Sequence, residues 1–249
     1  INKYTLGKST QGLSNYLKKI FPSGPIKVVI AYDCRHNSKD FAQTVSDVFS
    51  ANGIEVFLFS DLRPTPELSF AVRYLKAHCG IVLTASHNPP EYNGYKVYWS
   101  DGGQIVSPQD QEIITEIEKT NFESINFSGV SSKINLIDEE IDSAFRQNTL
   151  KVCRASENAK SNFSVVFTSL HGTAITLMPS VFEAAGYKNF HSIKKQEAPD
   201  GDFPTVASPN PEEREALSLG LEKAVELQAD FLVGTDPDAD RLGIAVRNL

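Results

Sequence analysis

Residues 27–33, KVVIAYD, form an apolar, β-branched run that ends on an acid, as a strand buried on both faces of a parallel sheet does. The next stretch changes period. Phe41, Val45, Val48 and Phe49 fall at helical spacing over residues 39–51, with Ser38 placed to cap the start and Asn52-Gly53 to stop the end. Residues 54–59 (IEVFLF) then read as a second strand, and a helix opened by Pro66 carries Leu68, Val72 and Leu75 on one face as far as residue 76. Residues 80–84 (GIVLT) make a third strand, so the order is βαβαβ and the sheet is parallel. After an Asn93-Gly94 turn, residues 95–99 alternate as an added edge or antiparallel strand would.

The rhythm then lapses. Residues 121–137 are rich in Ser, Asn and Gly between helical segments at 108–118 and 139–156, and a domain boundary is expected within 151–160. A second α/β unit follows, with strands at 163–168, 189–193, 231–234 and 242–246 and helices at 174–185 and 211–228. The expected fold is thus two consecutive three-layer α/β domains with mixed, mostly parallel sheets, spanning residues 1–152 and 153–249. The two show no register of identical residues, so they share an architecture and not a sequence repeat.

Composition narrows the class of function. The 249 residues are 41% hydrophobic, near the globular average, which excludes a disordered or fibrous chain. Charge is acidic, with 24 Lys and Arg against 31 Asp and Glu for a net −7, so there is no overall field to hold nucleic acid or an anionic membrane. Residues 1–10 lack the layout of a secretion signal, and no apolar run approaches the roughly 20 residues of a membrane helix. We read the protein as soluble and cytoplasmic, with no nucleic-acid or membrane partner. Cys34, Cys79 and Cys153 are odd in number and lack metal-ligand spacing, as small buried hydrophobes would be.

Chemistry concentrates in two places. Asp236-Pro237-Asp238-Ala239-Asp240-Arg241 follows the strand at 231–234, at the carboxyl edge where ligands of open α/β sheets sit. Aspartates at alternate positions can converge on one point, and three carboxylates suit a hard cation such as Mg²⁺; the competing reading, a solvated acidic turn, loses ground because four charged side chains crowd a short turn between two apolar strands. An EF-hand is excluded because its sixth and twelfth positions, Gly and Glu, are here Arg241 and Arg247.

The second place is Thr84-Ala85-Ser86-His87-Asn88-Pro89, which also ends a buried strand and is followed by Asn93-Gly94-Tyr95-Lys96. Ser86 reads equally as a nucleophile or as a hydroxyl that bonds a turn backbone. It is no hydrolase elbow, since G-x-S-x-G is absent. In an extended chain His87 would point away from Ser86, and a helper must come from elsewhere, Lys96 being one candidate. Asp33-x-Arg35 fits a salt-bridged loop or a cleft lining. Thr65-Pro66 and Leu170-His171-Gly172-Thr173 stand at helix starts whose amides could welcome a phosphate, though such starts are mostly punctuation. Arg63, Arg73 and Trp99 read as surface charge or packing.

Taken together, TASHNP at 84–89, Asn93-Gly94-x-Lys96, Leu170-His171-Gly172-Thr173 and DPDADR at 236–241 resemble the α-D-phosphohexomutase family, the phosphoglucomutases, phosphomannomutases and their relatives. The motifs match in order along nearly the whole chain. The resemblance implies that Ser86 carries a phosphoryl group and that Asp236, Asp238 and Asp240 hold Mg²⁺, with a phosphoserine oxygen completing the site. It also implies that Arg241 is the arginine that follows the ligands, Lys96 the general acid or base, and His87 the neighbour of the phosphoserine. Substrates would be a sugar phosphate and a sugar bisphosphate intermediate. Glucose ranks first, on the resemblance of residues 90–98 to the glucose- or pentose-phosphate branch, with phosphomannomutase and phosphopentomutase behind. A non-catalytic Mg²⁺-binding α/β module and a receiver-like signalling domain are the competing classes.

Two departures qualify the resemblance. The family's Gly-rich first motif ending in Arg-Gly has no counterpart, and members run to about twice this length in four domains. The chain is therefore expected to be a fragment with domain 1 and most of domain 2, poorly active or inactive without its C-terminal domains.

Overall fold

The run at 27–33 is strand β1 (Lys27–Tyr32), fully buried from Val28 to Tyr32 in a computed structural model that describes residues 1–248. The residues divide into two units. One comprises Ile1–Tyr32, Asn37–Thr84 and Asn93–Asp138; the other gathers Asp33–His36, Ala85–Tyr92 and everything described from Glu139 on.

In the first unit β1 pairs in parallel with β2 (Glu55–Phe59) and β3 (Cys79–Leu83), while β4 (Tyr95–Trp99) adds antiparallel to β3. A fifth strand, β5 (Ile134–Ile137), pairs with β2 and closes the order β4-β3-β1-β2-β5. Period 2 divides the side chains between the faces. Val28, Ile30, Val56, Leu58, Ile81 and Leu83 pack with α1 (Lys3–Ile20) and α2 (Ser38–Ala51), together with Ile113 of α4 (Gln109–Lys119). On the opposite face α3 (Thr65–Tyr74) presses Val72 and Leu68 against the site where Gly80 has no Cβ.

Four features of this unit add to or depart from the expectations. Helix α1 and strand β5 were not anticipated. Glycines 7 and 12 break the apolar stripe of α1, yet a Cβ on Gly12 would lie 2.5 Å from the backbone of Ile117, so the gap in the pattern is what lets α4 approach. Strand β5 is short and only half covered, too weak a pattern to stand out among polar residues. Ser38 is the first helical residue of α2, and the cap position is Asn37 in a left-handed conformation. Arg63, read as surface charge or packing, is 8% exposed, with Glu67 at 3.9 Å and Asp138 at 3.6 Å.

The second unit repeats the layout with four strands. β6 (Ser164–Thr168) lies between β7 (Asn189–Ser192) and β8 (Phe231–Thr235), both parallel to it, and β9 (Leu242–Val246) runs antiparallel to β8 at the edge. Val166 and Leu232 face α8 (Ser218–Leu227); Val165, Phe167 and Val233 pack with Met178 and Phe182 of α7 (Met178–Ala184). The helix expected at 174–185 is a 3₁₀ turn, Thr173–Thr176, followed by α7, because Pro179 has no N–H and is tolerated only in a first turn. The segment expected as 139–156 ends as α5 (Glu139–Leu150), and Ser156 caps a separate α6 (Glu157–Asn162) by accepting from the Ala159 amide. The helix expected at 211–228 begins only at Ser218. Both sheets are mixed and mostly parallel, as the pattern implied. Among the described residues no helix is long and apolar enough to cross a membrane.

Candidate active site

β8 delivers the acidic loop directly. After Thr235 the chain reverses, Ala239 taking a left-handed φ of 58° and donating its amide to the Asp236 carbonyl at 3.0 Å. The Arg241 amide donates to Asp236 Oδ1 at 3.0 Å. This tight reversal brings one carboxylate oxygen each from Asp236, Asp238 and Asp240 within 4.8 Å of one another. Asp236 and Asp238 are fully buried and Asp240 is exposed. Burial, and then the neighbouring Asp238, hold the Asp236 carboxyl well above the usual carboxylate range, offset in part by the Arg241 amide. Crowded hard oxygens of this kind fit a divalent cation, whose charge would favour the ionised form of Asp236.

Ser86 lies in the same unit, on the loop Ala85–Tyr92. Its Oγ donates to Asp236 Oδ2 at 2.8 Å and is 3.2 Å from His87 Nδ1. An extended chain would have turned His87 away. Instead Ser86 adopts a φ of 54°, a left-handed conformation that costs a non-glycine residue about 1–2 kcal/mol and folds the histidine back beside its own hydroxyl. Ser86, His87 and Asp236 thus meet around one hydrogen bond, and Asp238 and Asp240 cluster with Asp236. The Arg241 guanidinium pairs with Glu212 at 3.1 Å, a residue the sequence did not flag. Lys96 stands half-buried on β4 of the first unit, opposite Val82.

The motif Leu170-His171-Gly172-Thr173 has a different use from the one its position suggested. Its amides are spent inside the protein: His171 donates to the Gln196 carbonyl, Gly172 to that of Ser169, and Thr173 to that of Pro237. Thr173 Oγ1 also donates to the Pro237 carbonyl, at 2.9 Å, and a Cβ on Gly172 would sit 2.5 Å from Pro237 Cα. The motif therefore grips the middle of the acidic loop. Behind it, buried Gln196 accepts from Thr168 Oγ1 at 2.6 Å and donates to Thr205 Oγ1 at 2.8 Å, which in turn lies 2.9 Å from His171 Nε2. No local pattern marks Gln196, because its partners come from distant parts of the chain.

Two family models match the chain. That for phosphoglucomutase/phosphomannomutase α/β/α domain I matches residues 1–124, and that for domain II matches residues 143–248. The chain belongs to the phosphoglucomutase/phosphomannomutase family.

Within the phosphoglucomutase/phosphomannomutase family, a phosphoglucomutase of Staphylococcus epidermidis is 39% identical over 251 residues, covering 100% of this chain and 46% of its own length. A Haemophilus influenzae protein named "Probable phosphomannomutase" is 38% identical over 249 residues, covering 99% and 50%. A crystal structure from Thermus thermophilus that bears a phosphomannomutase name has a TM-score of 0.82 at 26% identity, covering 99% of this chain and 53% of that one. A family member from Burkholderia thailandensis shares the fold, with a TM-score of 0.76 at 23% identity over 98% and 50% of the two chains. The chain spans about half the length of the curated relatives it matches.

Proposed function

We propose that the full protein is an isomerase that shifts a phosphoryl group between the 1- and 6-positions of a sugar, through phosphorylated Ser86 and a sugar bisphosphate. The observation that carries this reading is the 2.8 Å hydrogen bond from Ser86 Oγ to Asp236, which puts a hydroxyl at the rim of a three-carboxylate cluster. That bond directs the hydroxyl proton at Asp236 Oδ2. Phosphorylated Ser86 would pass its phosphoryl group to the free hydroxyl of a sugar 1- or 6-phosphate, and the reoriented bisphosphate would return its other phosphoryl group to Oγ as that sugar oxygen leaves. His87 lies beside Oγ, where a cationic ring would offset phosphate charge. Arg241 adds a fixed positive charge next to the acidic loop, and Lys96 is assigned the sugar-hydroxyl proton. Mg²⁺, held by Asp236, Asp238, Asp240 and an oxygen of Ser86, would when bound draw charge from the transferring group.

Glucose phosphate is the first-ranked substrate, supported by the similarity of residues 90–98 to the glucose- or pentose-phosphate branch and by the phosphoglucomutase names among the relatives. Mannose and pentose phosphates rank behind it. A cytoplasmic location belongs to the same proposal. So does dependence on the further half of the protein for turnover.

Intact-mass spectrometry tests the reading: one acid-stable phosphate on the purified protein, absent from Ser86→Ala, is expected. A coupled glucose-6-phosphate assay of the full protein reads turnover directly. An acid-labile phosphate would point to a receiver-like aspartate, and neither phosphate nor turnover to a module that only binds Mg²⁺.

A further inference from the structure

We infer that Arg35, oriented by Asp33, is the positioning residue that sets the shape of the serine loop and so aims Ser86 at Asp236. The meaning of this assignment rests on the mutase reading above; its geometry does not.

Arg35 lies just beyond β1, with a side chain that is 0% exposed. One terminal nitrogen donates to the carbonyls of Pro89, at 2.8 Å, and Tyr92, at 3.1 Å; the other donates to those of Ser86, at 2.7 Å, and Asn88, at 2.5 Å. A single guanidinium thereby collects four carbonyls from a seven-residue span, residues 86–92. Asp33 fixes the fork: its Oδ1 accepts the Arg35 amide at 2.9 Å and its Oδ2 lies 3.3 Å from Nε. The ring of Phe203 lies 5.1 Å from the guanidinium carbon.

The loop needs such an external partner. Pro89 and Pro90 contribute no N–H, and the backbone bonds within it are Asn88 to Ala85 and Tyr92 to Pro89. Inward-facing carbonyls left without a donor would turn away, and the left-handed Ser86, whose own carbonyl is held by Arg35, would relax with them. Lysine cannot substitute, since an ammonium is a point charge with three donors and no planar fork. Arg35 acts through the loop backbone, so it is a positioning residue and not a catalytic one.

The test uses the full protein carrying Arg35→Lys and, separately, the charge-neutral pair Asp33→Asn with Arg35→Gln, which leaves no buried unpaired charge. We expect kcat to fall about 30- to 100-fold with KM for the sugar phosphate within about threefold, as a misplaced reacting atom predicts. Amide exchange should speed up by about tenfold or more in residues 85–92 while β6 and β8 keep their protection. Folded variants with exchange at 85–92 and kcat within about twofold of wild type would overturn the inference. Failure of both variants to fold would overturn it too, because the pair would then hold the domain and not the loop. Wild-type protein that carries no phosphate and has no turnover sinks the mutase reading alone, and the exchange measurement still decides the role of Arg35.

Discussion

Ser86 Oγ and Asp236 Oδ2 are joined by a 2.8 Å hydrogen bond across 150 positions of sequence. Each residue sits on a reversal that follows a strand end, and in both reversals a non-glycine residue takes a left-handed conformation, Ser86 in one and Ala239 in the other. Removing the hydroxyl should therefore cost chemistry and little else. Ser86→Ala in the full protein is expected to lose about a thousandfold or more in turnover with Tm within a few degrees of wild type, read by the coupled assay and a thermal melt.

Metal-free protein should lose stability as the pH rises. The folded-state pKa of Asp236 is raised above its unfolded value, so between the two the folded state binds the extra proton. Stability then declines from about pH 4 into the neutral range, and Mg²⁺ should restore it there. Melts with and without Mg²⁺ from pH 5 to pH 8 should show a metal-induced rise in Tm that grows with pH. In Asp236→Asn that rise should largely vanish.

Gly172 has no room for a side chain beside Pro237, so Gly172→Ala must push the acidic loop aside. A cost of about 1–3 kcal/mol in urea unfolding is expected, together with weaker Mg²⁺ binding by calorimetry. Thr173→Val keeps the shape and removes one hydrogen bond, which predicts a smaller loss of about 1 kcal/mol. Equal effects from the two changes would refute a packing role for the glycine.

In the first unit the buried carboxylate of Glu67 faces Arg63, whose guanidinium also reaches Asp138. Arg63→Met should destabilise the protein by about 3 kcal/mol, because a buried acid loses its cation. The double change Arg63→Met with Glu67→Gln should recover much of that loss. A denaturation series on the two variants measures the difference.

Gly12→Ala offers a second packing test. The new methyl would meet the Ile117 backbone at 2.5 Å, so about 1–3 kcal/mol should be lost despite the better helix propensity of alanine. Urea midpoints compared with wild type give the sign.

What could be read in the sequence was what depends on local pattern. The βαβαβ order was legible because β1 and β3 are continuous apolar runs and because Asn52-Gly53 punctuates α2. The acidic loop was legible because its three carboxylates are two residues apart. Elements whose character comes from a neighbour were not. Helix α1 hides its stripe behind glycines that only α4 explains, and β5 is a strand by virtue of pairing with β2. The same holds at the site. His87 turns toward Ser86 through one unusual backbone angle, and the four carbonyls on Arg35 come from a loop more than fifty residues away. The Asp33-x-Arg35 spacing drew notice, but nothing local shows which carbonyls a guanidinium will collect.

The second unit draws on three separated parts of the chain: Asp33–His36, Ala85–Tyr92 and the stretch from Glu139 onward. This limits how such genes can be recombined. A chimaera that takes residues 143–248 from one parent and the preceding residues from another inherits carboxylates and hydroxyl separately. Crossover points that look neutral along the sequence would then divide one constellation between two ancestries. Compatible parents must agree at residues 33–36 and 85–92, which belong to the second unit although they are encoded among residues of the first.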